Sequence, residues 1–133
     1  MFGSILPQRK NAAIRHFLVT EMKTNDAKRI HCPVEITLEV LGGKWKTVIL
    51  WHLRQDARRF LELQRLIPGI TRKMLTQQLR DLERDGTVKR KVYHQLPAKV
   101  EYTLSTHGRT LRPVLHELCK WGLRHRAKAG TLK

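Results

Sequence analysis

Apolar residues recur at helical spacing in the segment ITRKMLTQQLRDLERDG, which runs from Ile70 to Gly86. At about 100° per residue, its three leucines fall on one side of a helix, so the pattern predicts that this side packs inward. Thr71 is a suitable N-cap because its short side-chain oxygen precedes the periodic run, and Gly86 suits the left-handed position that ends a helix. The opposite side carries the hydrogen-bond donors of Arg72, Lys73, Thr76, Gln77, Arg80 and Arg84.

Three shorter helices are predicted before this segment. CPVEITLEVLGG has a proline at the favoured first helical position and ends at a glycine pair. KWKTVILWHLRQD, from Lys44 to Asp56, is apolar enough to be a central core helix, and RRFLELQRLIPG supplies a third helix that Pro68 and Gly69 end. A four-residue Pro-Gly-Ile-Thr turn then leads into the helix described above, which is typical of a helix-turn-helix.

The apolar period changes to two in TVKRKVYHQLPAKVEYTLS, which predicts a β-hairpin with its turn near Leu96 and Pro97. One final helix is predicted from Thr106 to Arg126, with Pro113 bending it. The expected fold class is therefore mainly α with a small β-hairpin, a winged helix-turn-helix with extra N- and C-terminal helices. This domain covers residues 32–126, between a weakly patterned extension at 1–31 and a basic tail at 127–133.

The N-terminal extension contains NAAIRHFLVTEM, from Asn11 to Met22, which has the spacing of a short amphipathic helix. Met22 is also a plausible start of the native product. Whether residues 1–21 belong to that product is therefore left open. MFGSILPQRK has no apolar core or cleavage signal after its charges, and no run approaches the roughly 18 apolar residues of a membrane span. We expect a soluble cytoplasmic protein, associated with the nucleoid and not with a membrane.

The net charge of the chain limits the classes of partner that it could bind. The 133 residues include 27 Lys and Arg against 11 Asp and Glu, a net charge of +16 that is spread along the chain. Such an excess indicates an anionic partner. In a winged helix-turn-helix, the helix after the turn is placed to enter a DNA major groove about 12 Å wide, and the hairpin reaches phosphates or the minor groove. We therefore expect double-stranded DNA as the partner.

Side-chain chemistry divides the basic residues into two groups. Arginine offers a two-pronged donor to guanine and glutamine pairs with adenine, whereas lysine mostly binds phosphate. The residues expected to read base edges are Arg72, Thr76, Gln77 and Arg80. The residues expected to bind DNA phosphates are Lys73, Arg84, Lys89, Arg90, Lys91 and Lys99.

Several separate motifs occur in the order found in one protein family. They are Cys-Pro before the first helix, Gly-Gly-Lys-Trp, Arg-Arg-Phe, Ile-Thr with Met-Leu and Leu-x-x-Leu, Val-Glu-Tyr-x-Leu-Ser, and Leu-x-x-Trp. From Cys32 to Arg126 the chain resembles the HxlR-type transcriptional regulators, bacterial winged-helix proteins related to the MarR group. The resemblance implies a homodimer, joined by helices outside the reading unit, on a roughly palindromic operator. The chain departs from the family at QLPAKVEY, where two prolines are more common.

The two cysteines, Cys32 and Cys119, are too few for a disulfide framework and too far apart for a zinc module. Cys32 precedes a helix N-terminus, where backbone N–H groups favour a thiolate, and the resemblance implies that a cysteine at this position senses oxidants, quinones or aldehydes. The alternative is a cysteine without a sensing role. Cys119 is expected to be a small buried hydrophobe, although a bridge from Cys32 to Cys119 of the partner subunit is conceivable.

Neither cysteine has the sequence context of a base-activated nucleophile, and no paired carboxylates lie in an apolar stretch, so an enzyme is not expected. His116, Cys119 and His125 lack further ligands for zinc, and no metal or cofactor is predicted. Two functions remain. The first is a dimeric, sequence-specific transcription regulator whose effector is not identified; the second is a structural nucleic-acid binder of the nucleoid or ribosome that uses charge alone.

Overall fold

The computed structural model describes residues 32–131, so the predicted helix from Asn11 to Met22 lies outside the described part of the chain. These residues belong to two compact units that divide after Glu39. Helix α1 (Pro33–Leu41) starts in the first unit. There the backbone N–H of Glu35 donates to the Cys32 carbonyl at 2.9 Å, which places Cys32 at the N-cap.

The second unit contains the remaining elements in the order that the hydrophobic pattern predicts. They are α2 (Lys46–Leu53), α3 (Phe60–Leu66), α4 (Arg72–Arg84), β1 (Val88–Tyr93), β2 (Lys99–Leu104), α5 (Thr106–Arg109) and α6 (Arg112–Thr131). Their apolar faces form one core, to which α2 and α4 contribute three buried side chains each. The architecture is a winged helix-turn-helix, and the predicted fold class is confirmed. Among helices within 32–131, none combines the length and apolar character needed to cross a bilayer.

Helix α4 has the boundaries that its sequence indicates. The Thr71 hydroxyl accepts a hydrogen bond from the Met74 backbone N–H at 3.1 Å, and Gly86 follows the helix with a φ of +80°. Such a φ favours glycine because a side chain there would meet the backbone. Three leucines of α4 are at most 1% exposed: Leu75, Leu79 and Leu82. The helix is therefore fixed in rotation, with its basic side facing outward.

A single residue, Arg58, pairs with the edge of the two-stranded hairpin, and hydrophobic periodicity does not predict this pairing. Strands β1 and β2 pair antiparallel with Val88 opposite Leu104. The Arg58 N–H donates to the Tyr102 carbonyl at 2.9 Å, and the Tyr102 N–H donates to the Arg58 carbonyl at 2.8 Å. Arg58 thus belongs to the edge of the sheet, and α3 begins at Phe60 instead. A strand is recognised by alternating apolar and polar residues, and one paired residue is too short to show this pattern.

The prediction of one continuous final helix from Thr106 to Arg126 is wrong. The structure has a single-turn helix α5, a break at Thr110 and Leu111, and then α6, which continues to Thr131. Pro113 lies in the first turn of α6 and does not bend it. A proline is tolerated there because the N–H groups of the first turn have no helical partner in any case.

Helix α5 is held against the loop after α4 by a close backbone approach. The Ser105 hydroxyl donates to the Gly86 carbonyl at 2.6 Å and accepts from the Gly108 N–H at 2.8 Å. The Ser105 N–H donates to the Thr87 carbonyl at 2.9 Å. A Cβ on Gly108 would overlap that carbonyl oxygen, so only glycine permits this contact.

We expect Gly108→Ala to lower the free energy of unfolding by about 1–3 kcal/mol, because the backbone of Thr87 must move to admit the methyl group. Urea unfolding followed by circular dichroism measures the change. Gly122→Ala is the matched control, since nothing lies within 4 Å of a Cβ at that helical position. There we expect a gain of up to about 1 kcal/mol from helix propensity. Equal effects of the two substitutions would contradict the close approach.

Candidate nucleic-acid interface

The outward side of α4 divides into two flanks that differ in what they face. One flank, which we call the groove flank, borders the hairpin and consists of Arg72, Thr76 and Arg80. The other flank turns toward α2 and includes Gln77 and Arg84, which contact Asp81. All four residues predicted to read base edges, and two of those predicted to bind phosphate, therefore lie on α4, but they have different surroundings.

The groove flank borders a cavity of about 570 Å³ between α4 and the hairpin. The cavity is lined by Phe60, Arg72, Thr76, Arg80, Glu83, Arg90 and Tyr102. Three guanidinium groups therefore meet around one opening, with a single carboxylate among them. The concentration of positive charge at a concave surface raises the local attraction for an anion.

Two contacts limit how the groove flank moves. The Arg72 guanidinium lies 5.5 Å from the centre of the Phe60 ring, a distance at which a cation is attracted to the ring face. The Thr76 hydroxyl donates to the Arg72 backbone carbonyl at 2.8 Å. Thr76 can still accept a hydrogen bond, because a hydroxyl oxygen keeps its lone pairs after donating.

The second flank is organised around one carboxylate. Asp81 accepts a hydrogen bond from the Gln77 amide nitrogen at 3.1 Å. Its oxygens also lie 3.4 Å from Nη2 of Arg84 and 3.8 Å from Nζ of Lys46, a residue of α2. The Asp81 side chain is 22% exposed, so its charge is partly shielded from water and compensated by two cations. This cluster connects α4 to a second helix.

The basic residues that are consecutive in the sequence of the hairpin lie on two opposite faces of it. Because successive side chains of a strand point to opposite faces, Arg90 shares one face with Val88 and lies in the cavity beside α4. Lys89 and Lys91 point to the other face. Lys99 stands opposite Tyr93 on that same outer face. The structure therefore places Arg90 with the α4 arginines and the three wing lysines apart from them.

The outer face of the hairpin contains its own polar cluster. Lys91 and Lys99 both lie within 4.9 Å of the centre of the Tyr93 ring, and Nζ of Lys99 is 3.3 Å from Glu101. A hydrogen bond from Tyr93 holds the pKa of the Glu101 carboxyl below its usual value, and Lys99 adds to this effect. Glu101 therefore stays charged at neutral pH. Lys99 is partly neutralised by this carboxylate, whereas Lys91 is more exposed than Lys99.

Phe60, Tyr102 and Asp81 were not predicted as site residues. Phe60 and Tyr102 are half-buried and line the cavity, and Asp81 organises the second flank of α4. Their contribution depends on contacts between elements distant in sequence. The available signal was the presence of two acids, Asp81 and Glu83, in or beside the basic side of the helix.

The two cysteines lie in different units. Cys32 is exposed at the N-cap of α1, and Cys119 is half-buried in an apolar cavity of about 240 Å³ beside Trp51 and Leu115. Cys119 was expected to be a small buried hydrophobe; its surroundings are apolar, but the residue is only half-buried. Within residues 32–131, no three His, Cys, Asp or Glu side chains come together in a way that would hold a metal ion.

Helix α6 carries an exposed apolar stripe, which consists of Val114, Leu118 and Trp121. Trp121 is 59% exposed and Leu118 is 48% exposed. Trp121 also stacks on His125 at 4.8 Å between ring centres. At 100° per residue these side chains share one side of the helix, while Leu115 and Cys119 face the core. Adjacent large apolar side chains on one face mark an interaction surface.

Comparison with known proteins supports one family. Residues 40–129 match the family described as HxlR-like helix-turn-helix. The chain is 57% identical over 100 residues, which are 75% of this chain and 79% of the relative, to the uncharacterised HTH-type transcriptional regulator YtcD of Bacillus subtilis.

Two solved structures have the same fold. The redox regulator HypR in its oxidised form aligns with a TM-score of 0.68 and 53% identity, covering 70% of this chain and 96% of that one. Diamide-treated YodB from B. subtilis aligns with a TM-score of 0.60 and 35% identity, covering 71% of this chain and 95% of that one. YtcD is described as a transcriptional regulator and HypR as a redox regulator. The chain therefore belongs to the HxlR-like helix-turn-helix family, and it is a transcriptional regulator with a DNA-binding winged helix.

Proposed function

We propose that the protein is a homodimer that binds a roughly palindromic DNA operator in a sequence-specific manner. The observation that carries the proposal is the outer side of α4, where arginine, threonine and glutamine side chains lie together above a fully buried leucine face. A helix fixed in this way presents base-reading groups at constant positions in a major groove. The DNA partner places the protein in the cytoplasm, at the nucleoid.

The two flanks of α4 and the hairpin have different roles in this proposal. Base edges are read by Arg72, Thr76, Gln77 and Arg80, because these side chains project from the outer side of α4. Phosphates are bound by Lys73, Arg84, Lys89, Arg90, Lys91 and Lys99. Arg90 occupies the cavity next to α4, so its phosphate would lie at the edge of the same groove. The wing lysines face away from that cavity and reach the neighbouring backbone.

We expect Gln77→Ala to relax sequence preference, because it removes a contact to a base, and to leave binding to random DNA almost unchanged. Lys91→Ala should weaken binding to all DNA about equally and make the logarithmic salt dependence shallower by roughly one unit. Lys91 is a suitable comparison because it is exposed on the wing and binds no base in this proposal. Fluorescence anisotropy with operator and random duplexes at several salt concentrations measures both effects.

The same measurement separates the regulator from a structural binder that uses charge alone. A specific regulator binds its operator roughly a thousandfold or more tightly than random DNA at physiological salt. A ratio near one for the unmodified protein, or an equal loss on both duplexes for both variants, would favour the nucleoid or ribosomal role.

The apolar stripe of α6 is proposed to form the dimer interface. Leu118→Asp should shift the protein toward the monomer, because a charge would be buried between the subunits. Sedimentation equilibrium measures the dissociation constant, and operator affinity should fall together with dimerisation. Lys120→Asp, on another side of α6, is the matched control and should leave the dimer intact. A dimer that tolerates Leu118→Asp must use a different surface.

Regulation through Cys32 is the finer part of the proposal. Its support is the exposed position of this thiol at the N-cap of α1, together with relatives described as a redox regulator and as diamide-treated. Diamide accepts two electrons and two protons as two thiols become a disulfide. A thiol at a helix N-terminus reacts more readily when its thiolate is stabilised by backbone N–H groups.

We expect diamide or a quinone to change operator affinity of the unmodified protein and to have no effect on Cys32→Ser. Cys119→Ser identifies the second thiol: loss of the diamide response in this variant would indicate a bridge from Cys32 to Cys119 of the partner subunit, whereas a retained response would exclude Cys119. Anisotropy before and after treatment gives the affinity, and mass spectrometry identifies the modified cysteine. If Cys32→Ser responds as the parent does, Cys32 is not the sensor.

A further inference from the structure

The amide of Gln77 has only one chemically acceptable orientation in its contact with Asp81. The two groups are 3.1 Å apart and separated by one helical turn. A carboxylate has no hydrogen to donate, so the glutamine must direct its nitrogen toward Asp81. The Gln77 carbonyl oxygen is then turned outward as an acceptor on an exposed side chain, with the second hydrogen of the amide nitrogen beside it.

Asp81 is itself held from two directions. Nη2 of Arg84 lies 3.4 Å from one carboxylate oxygen, the same oxygen that Gln77 contacts, and Nζ of Lys46 lies 3.8 Å from the other. Because Lys46 belongs to α2, the carboxylate is fixed relative to two helices. A hydrogen bond between exposed helical residues is weak by itself. With its acceptor held in place, and with water displaced by DNA, this contact becomes stronger.

We propose that Asp81 is a specificity-determining residue that makes Gln77 a hydrogen-bond acceptor toward DNA. In the major groove, adenine and cytosine present an amino group, whereas guanine and thymine present only acceptors. An oriented Gln77 carbonyl therefore selects adenine or cytosine at the base it contacts. A glutamine free to rotate its amide could offer nitrogen or oxygen and would discriminate less. This inference rests on the proposed role of α4 in DNA reading.

Asp81→Asn tests the inference with almost no change in shape. Asparagine carries both a donor and an acceptor, so Gln77 can turn its amide in either direction. We expect the preference for adenine or cytosine over guanine or thymine to fall by about fivefold or more, the lower end of the discrimination that one specific base contact gives. Duplexes that differ at one base pair, chosen as the pair whose preference Gln77→Ala abolishes, provide the measurement.

Asp85→Asn is the matched control for charge, since Asp85 is exposed and lies one turn beyond Asp81. Both substitutions remove one negative charge and should strengthen binding to all DNA, but only Asp81→Asn should alter the preference. In a Gln77→Ala background, Asp81→Asn should have no further effect at that base pair. An unchanged preference in Asp81→Asn, or the same change with Gln77 absent, overturns the inference.

A second variant, Gln77→Glu, tests the inference even if Asp81→Asn does not fold. Gln77→Glu keeps an acceptor of the same length but has no N–H to donate, so it presents an acceptor without needing Asp81 to orient it. Overall affinity should fall because of the added charge, but the preference for adenine or cytosine should remain. Loss of that preference would show that Gln77 acts as a donor and would overturn the inference.

The outcomes also distinguish this inference from the proposed function. If the unmodified protein binds all duplexes equally, the sequence-specific function fails and the inference fails with it. If Gln77→Ala relaxes the preference while Asp81→Asn leaves it intact, only the role of Asp81 is overturned.

Discussion

The burial of the α4 leucines is the constraint on which the rest of the molecule depends. Leu75, Leu79 and Leu82 lie in the centre of the core, and together they fix both the position and the rotation of the helix. A rotation of one residue, about 100°, would turn the arginines toward the core and leave their charges without water. The direction in which the basic side faces is therefore a consequence of packing, and DNA reading uses an orientation that stability already imposes.

The hairpin is positioned by a few backbone contacts in addition to the buried side chains of Val88 and Leu104. Arg58 pairs with Tyr102 at the sheet edge, and Gly108 allows α5 to approach the Thr87 carbonyl. These contacts join the hairpin to the segments before and after α4. As a result, Arg90 borders one cavity together with Arg72 and Arg80 of α4, although Arg80, the nearer of the two, is ten positions before it along the chain.

Sequence periodicity predicted the helix-turn-helix, the hairpin and the outward side of α4 because each depends on local spacing. Thr71 and Gly86 also mark the ends of α4 through local chemistry, and the structure confirms both. The break between α5 and α6 was not predicted, although Pro113, which has no N–H to continue a helix from α5, lies just after it. The pairing of Lys46 with Asp81 could not be read from composition, because it joins α2 to α4 across the core.

The acidic residues on this basic surface show that affinity for DNA in general and preference for one DNA sequence depend on different residues. A net charge of +16 attracts any DNA, so additional cations on α4 would strengthen binding to every sequence equally. Asp81 and Glu83 act in the opposite direction, because each reduces the attraction for phosphate at the surface nearest the bases. Asp81 also restricts which end of Gln77 is presented, whereas a cation could not restrict it in this way. In a regulator of this family, lower affinity for random DNA and a fixed Gln77 amide both increase the ratio of operator affinity to random-DNA affinity. That ratio decides how well an operator is distinguished from the rest of the genome.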